Sequence, residues 1–132
     1  MKTWQKILGW FWASCLTFPG ALVWLILDAA PIRRRGSTWE WVCCPDGILE
    51  DWLIKGHFVA FTFGTLVVYR SGRFMVDPRV QAHEDRHVLQ YMILGPLHPL
   101  VYAASSLWCL ARGKDWYRDN VLERDAREHA AR

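Results

Sequence analysis

Five consecutive residues, His83-Glu84-Asp85-Arg86-His87, have the types and spacing of a metal-dependent hydrolase. Four residues is just over one helical turn, so on a helix the two imidazoles project from one face and can converge on a single cation. Glu84 lies beside that face, where its carboxylate can take a proton from a metal-bound water instead of binding the metal. A catalytic centre also needs a third protein ligand and an open position. The candidates are His57, His98, Asp119, Glu123, Asp125, Glu128 and His129. Glu123 is favoured, because it lies on the next amphipathic helix after a helical return that can bring its face back against the HExxH helix. The His, His, Glu set favours Zn²⁺ over other divalent ions. A developing oxyanion would need a further donor, for which Tyr102 comes first, then His98, Tyr117 and Arg127.

These residues need elements to hold them. Asp77-Pro78 is a helix start, with Asp77 free to cap and Pro78 at a position where its missing N–H costs nothing. The helix is predicted to run from Pro78 to about Leu94, where Gly95-Pro96 stops it. A second helix follows from about Leu97 to Ala111 and a third, short and charged, over Val121 to Ala131. Val88 to Ala111 is uncharged throughout, but its interruption by Gly95, Pro96 and Pro99 predicts two core helices meeting at a corner instead of a membrane span. Upstream, Ser37 to Tyr69 alternates apolar and polar residues and contains the turn signal Pro45-Asp46-Gly47. The pattern predicts a small antiparallel meander through TWEWVCC, ILEDWLI and GHFVAFTFGTLVVY, with Ser71-Gly72 leading a hairpin into RFMV. Phe58, Phe61 and Phe63 would line a strand next to the HExxH helix; His57 in GHFVAF either faces the site from that strand or closes a turn, and is left unassigned.

Ile7 to Leu27 contains no charged residue, and about 20 apolar residues suffice to cross a bilayer core. Trp4, Trp10 and Trp12 sit near one end and Trp24 near the other, as interfacial rings would, although Pro19 and Gly20 would kink the helix midway. The segment is expected to be an anchor or a re-entrant hairpin, with a cleaved signal peptide, a buried helix and an in-plane helix as alternatives. Arg33, Arg34 and Arg35 follow it, against Lys2 and Lys6 before it. That balance tips the folded body toward the cytoplasmic side.

The chain has 132 residues, a size that suits one domain. Hydrophobic residues make up 52% and charged residues 22%, which excludes a disordered chain and equally a polytopic transporter. A formal charge of +3 with interspersed signs gives no reason to expect nucleic acid as a partner. The cysteines, Cys15, Cys43, Cys44 and Cys109, lack the spacing of a zinc ribbon or a thioredoxin site.

HEDRHVLQYMILGPLHPLVYAASSLW followed by YRDNVLERDAR resembles a group of small bacterial proteins of uncertain role with an HExxHVxQY, GPL and NPFEREA-type pattern, itself similar to the gluzincin metallopeptidases. The resemblance covers Thr62 to Arg127. It implies His83 and His87 as zinc ligands, Glu84 as general base and Glu123 as third ligand. The chain departs from gluzincins in carrying Arg127 where many have an Asp that supports a ligand histidine, and in having Val121-Leu122 after Asn120 where the pattern has Pro and an aromatic.

The expectation is an α+β protein: a hydrophobic membrane-associated segment over 1–35 and a compact zincin-like body over 36–132, with a small antiparallel sheet and three helices. Its expected activity is zinc-dependent hydrolysis of peptide bonds in a peptide or protein substrate, with Glu84 and Tyr102 as catalytic residues. Its N-terminal segment would contact membrane lipid, the bacterial inner membrane being the expected location. The alternatives are a zinc-stabilised interaction module without turnover and a metal-free membrane-associated adaptor.

Overall fold

A computed structural model describes residues 2–132. The protein is α+β, with four strands in one sheet of order β1-β2-β4-β3: β1 Ala29–Arg35, β2 Thr38–Cys43, β3 Ala60–Phe63 and β4 Leu66–Tyr69. The helices are α1 Thr3–Ile26, α2 Ile48–Lys55, α3 Gly72–Met75, α4 Pro78–Leu94, α5 His98–Ala111 and α6 Val121–Ala130, with a 3₁₀ turn over Gly95–Leu97.

The central strand β4 reads LVVY and is buried on both faces. Leu66 and Val68 join Trp24, Trp41, Leu49 and Leu53 beneath α1 and α2. Val67 and Tyr69 join Ala60, Val88 and Met92 beneath α4. A strand covered by helices on both sides has no polar alternation, which is why this one reads as a plain apolar run.

The sheet is mixed, not the antiparallel meander that turn signals suggested. β1–β2 and β3–β4 are antiparallel, whereas β2 and β4 are parallel. The cause is ILEDWLIK, which is helix α2 and not a strand. Its apolar residues Leu49, Trp52 and Leu53 fall at helical spacing, with Glu50 and Asp51 in the first turn and Lys55 in the last, so the segment crosses over the sheet. One further segment differs from expectation. RFMV does not form a hairpin strand; Gly72–Met75 is the short helix α3. Arg33–Arg35 belong to strand β1, because the buried carboxylate of Glu40 on β2 pairs with both Arg33 and Arg35.

The helices over 78–94, 98–111 and 121–130 form as their caps dictate. Asp77 accepts from the amides of Arg79 and Val80, and Gly95 takes a positive φ to end α4. α5 is not a core helix, however. Only His98 and Cys109 are buried, and Leu100, Leu107, Trp108 and Leu110 are exposed.

The first helix spans 24 residues without a break at Pro19. It is a helix, not a hairpin, and it is built into the rest of the protein. Gly9, Ala13, Thr17 and Gly20 form an inward stripe of small residues. A Cβ on Gly9 would stand 2.8 Å from the Met92 carbonyl oxygen, and one on Gly20 would stand 2.7 Å from the Phe63 ring. Thr17 receives the Thr65 amide at 3.0 Å, fixing α1 to the β3–β4 turn. The outward face carries Ile7, Leu8, Phe11, Phe18, Leu22, Leu25 and Ile26, all exposed. Two stretches of the described chain, α1 and Pro78–Ala111, are long and apolar enough to cross a membrane. Of the tryptophans, Trp24 and Trp41 are buried, whereas Trp4, Trp12, Trp39, Trp52, Trp108 and Trp116 are exposed.

Candidate metal centre

Each residue of HEDRH meets a different neighbour, because successive side chains on a helix are about 100° apart. His83 and His87 face α6. Glu84 is buried and accepts from the Thr62 hydroxyl of β3 at 2.6 Å. Asp85 receives both terminal guanidinium nitrogens of Arg35 at 2.7 Å, tying α4 to β1. Arg86 reaches α6, donating to Asp125 at 2.6 and 2.9 Å. The helix is thus held from two strands and one helix, with its imidazoles on the α6 side.

Helix α6 is fixed just as firmly at its start. The fully buried Asn120 caps it by accepting from the Leu122 amide, while its side-chain amide donates to the Tyr102 carbonyl and the Ser106 hydroxyl of α5. The Val121 amide donates to Ser105. Glu123 therefore falls in the first turn, where the helix dipole favours a carboxylate.

His83, His87 and Glu123 converge, with one ligand atom from each lying within 4.8 Å of the others. The two Nε2 atoms are 3.1 Å apart. Glu123 Oε2 lies 3.3 Å from His83 Nε2, and Oε1 lies 3.4 Å from His87 Nε2. Ligands at 2.0–2.1 Å from a tetrahedral ion stand about 3.3 Å from one another, so the spacing fits a shared cation. The donor atoms agree with that. Glu123 Oε2 is buried without a hydrogen-bond partner, a costly state that a bound cation relieves. The group can hold a metal ion.

No protein-family model, curated protein or solved structure matches this chain. The site accordingly stands on its own contacts, and those contacts supply the histidine support that Arg127 does not. His87 Nδ1 lies 2.9 Å from Gln90 Oε1. The Gln90 amide nitrogen donates to Asp125 at 2.8 Å and to the Leu122 carbonyl, so its oxygen must be the acceptor. His87 thereby carries its proton on Nδ1, and Nε2 is left as a ligand. Arg127, four residues beyond Glu123, takes no part in this; it donates to the Arg118 carbonyl. Support for the ligand histidine thus comes from Gln90 and Asp125, neither of which sequence reasoning assigned to that task. The available signal was Gln90 itself, a polar residue three positions after His87 in an otherwise apolar helical run.

The other candidates separate cleanly. Tyr102 donates to Glu123 Oε1 at 3.0 Å, so it belongs to the site as a partner of the third ligand. His98 is buried and stacks on Tyr91, with ring centroids 3.6 Å apart. Asp125 supports and does not ligate. His57 is exposed with a positive φ in the turn after α2, Glu128 and His129 are exposed, and Asp119 accepts from the Asp115 amide.

The ionisation states follow from these partners. Burial would raise the Glu123 carboxyl, but the two imidazoles outweigh it and hold the group well below the usual carboxylate range. The Arg86 guanidinium brings Asp125 down to about 2. Burial, with Glu123 and Glu84 nearby, pushes the Tyr117 phenol upward.

A cavity of about 400 Å³ adjoins the ligands, with Glu84, Thr62, His98, Tyr102 and Tyr117 among its walls. Beside it lies β3, an outer strand of the sheet, paired on one side only.

Proposed function

We propose that this protein is a membrane-associated, zinc-dependent metallopeptidase whose centre is His83, His87 and Glu123. The observation that supports it most is the convergence of those three side chains with a buried glutamate, Glu84, on the wall of the same cavity. Zinc is preferred from the two imidazoles and one carboxylate. When bound, such a cation polarises a carbonyl and acidifies water.

The chain's own residues supply the remaining chemistry. The Thr62 hydroxyl occupies Glu84 Oε2, which orients the carboxylate and leaves Oε1 to accept a proton from water and return it to a leaving amine. Gln90 fixes the His87 tautomer, and Tyr102 orients Glu123. For Tyr102 to donate to a substrate carbonyl it must release that bond, so in the resting geometry it is a positioning residue. The unpaired edge of β3 offers backbone groups to an extended peptide or protein segment. The apolar outer face of α1 gives the contact with membrane lipid, for which the bacterial inner membrane is our reading, and the arginines after it, although Arg33 and Arg35 are paired with acids, favour the cytoplasmic side for the site.

The test is metal content of protein purified without added zinc, together with hydrolysis of labelled casein. Wild type and Glu84→Gln should each hold about one zinc per chain, whereas Glu123→Ala should lose it. Glu84→Gln should also lower turnover by roughly 10²- to 10⁴-fold. A folded wild type without metal overturns the reading. Zinc retained with no hydrolysis by the wild type would favour a zinc-stabilised interaction module.

A further inference from the structure

We infer that the cavity beside the ligands receives a large apolar side chain, aromatic or branched aliphatic, adjacent to the bond that is cut. This rests on the metallopeptidase reading above and narrows it to a substrate class. The cavity measures about 400 Å³, within the range of about 300–1,000 Å³ typical of ligand sites. Its walls are largely rings and methyl groups, including Trp52, Phe58, Phe61, Phe63 and Tyr91. The two carboxylates on them are already committed: Glu84 to Thr62, and Glu123 to the histidine pair and Tyr102. No lysine, arginine or aspartate lines the cavity. A charged side chain entering it would give up water without gaining a partner.

Two further features point to an occupant. His98 lines the cavity, is buried, and has no hydrogen-bond partner at either ring nitrogen. A buried imidazole without partners is costly unless something that binds there supplies one, which the backbone N–H or C=O of a peptide carrying the apolar side chain can do. The apolar lining also continues past the first cavity. A second cavity of about 510 Å³, between α1, α2 and β3, shares Trp52, Phe61 and Phe63 with the first. Apolar surface therefore runs from the ligands to α1, which suits an apolar peptide stretch better than one isolated residue.

The full chain in detergent micelles, loaded with Co²⁺ in place of zinc, gives a readout independent of turnover. Its visible spectrum is titrated with the hydroxamates of glycine, aspartate, lysine and phenylalanine, which share one metal-binding group and differ in the side chain. Phenylalanine hydroxamate should bind roughly 10- to 100-fold more tightly than the glycine compound, the gain expected from burying an aromatic ring. The aspartate and lysine compounds should bind no better than glycine. Ala103→Trp, at the exposed mouth on α5, should cut the phenylalanine advantage to under about threefold, and an unchanged cobalt spectrum before titration reports an intact centre. Equal affinities for the glycine and phenylalanine compounds, with the cobalt spectrum present, overturn the apolar pocket and leave the metal centre standing. A chain that takes up no cobalt, or whose spectrum is unaltered by Glu123→Ala, overturns the centre and the pocket's role together.

Discussion

Helices α1 and α4 pack against each other yet sort their residues in opposite ways. α1 turns Gly9, Ala13, Thr17 and Gly20 inward and leaves Phe11, Phe18, Leu22 and Ile26 outside. α4 turns Glu84, His87 and Gln90 inward along with Val88, Tyr91 and Met92. Simple partition between oil and water accounts for neither. What decides burial on α1 from Gly9 to Gly20 is size, because only small residues let its backbone approach Met92 and the β3–β4 turn, whereas Trp24 near its C-terminal end fills the core above Leu49 and Leu53. What decides it on α4 is the supply of partners, since each buried polar group there has a named donor or acceptor or a place at the metal centre. The outward face of α1 then suits a medium other than water.

Substitutions on the two helices should separate size from partner supply as the cause of burial. The largest effect should come from α4: Gln90→Ala removes the acceptor at His87 Nδ1, and zinc affinity should fall tenfold to a hundredfold in a chelator competition. If affinity is unchanged, inward polar residues on α4 are not there for the metal. Next, Gly9→Leu forces a side chain against the Met92 carbonyl and should destabilise the fold by about 1–3 kcal/mol in denaturant melts. Phe18→Ser on the outward face should leave those melts within about 0.5 kcal/mol while weakening partition into phosphatidylglycerol vesicles. Reversed sensitivities at Gly9 and Phe18 would mean that α1 is oriented the other way. Asn120→Ala removes the cap that sets Glu123 and should cost about 1 kcal/mol, with a parallel loss of zinc affinity.

The smallest expected effect is a pH dependence carried by Glu40 on β2, which is not a ligand. Burial raises the Glu40 carboxyl, but Arg33 and Arg35 outweigh it, and the net result lies below the ordinary value of 4.5. A carboxyl lowered by folding contributes stability that is complete above the unfolded value and is lost as pH falls through the folded one. Thermal melts should therefore weaken as pH drops below about 4.5, and Glu40→Gln should flatten that part of the profile. A wild type and a variant with the same acid slope would remove Glu40 from the account.

The α4–α6 half was legible because its signals are local. Asp77-Pro78, Gly95-Pro96 and Asn120 mark helix ends through side chains and dihedrals that act within a few residues. Once those ends are set, Glu123 has few places to go. The sheet was harder to read. Ile48–Lys55 carries helical spacing and end charges of its own, but a short apolar run also suits a strand, and its packing is completed only where Leu49 and Leu53 meet Trp24 and Trp41. The strand character of Arg33–Arg35 depends likewise on Glu40 being at hand. Gln90 was overlooked because its task is defined only when α6 brings Asp125 and the Leu122 carbonyl to it.

The bond between Thr17 and the β3–β4 turn has an outcome for geography as well as for packing. An anchored enzyme is commonly pictured as a catalytic head on a leash, free to swivel above the surface that holds it. On the reading proposed above, the leash and the head share a wall: lifting α1 away uncovers Phe63, Thr65 and Leu66. Whatever surface the outer face of α1 meets, the three ligands meet it at a set height and bearing. Reach would then act as a ruler, selecting by distance from that surface which stretch of a passing chain arrives at Glu84.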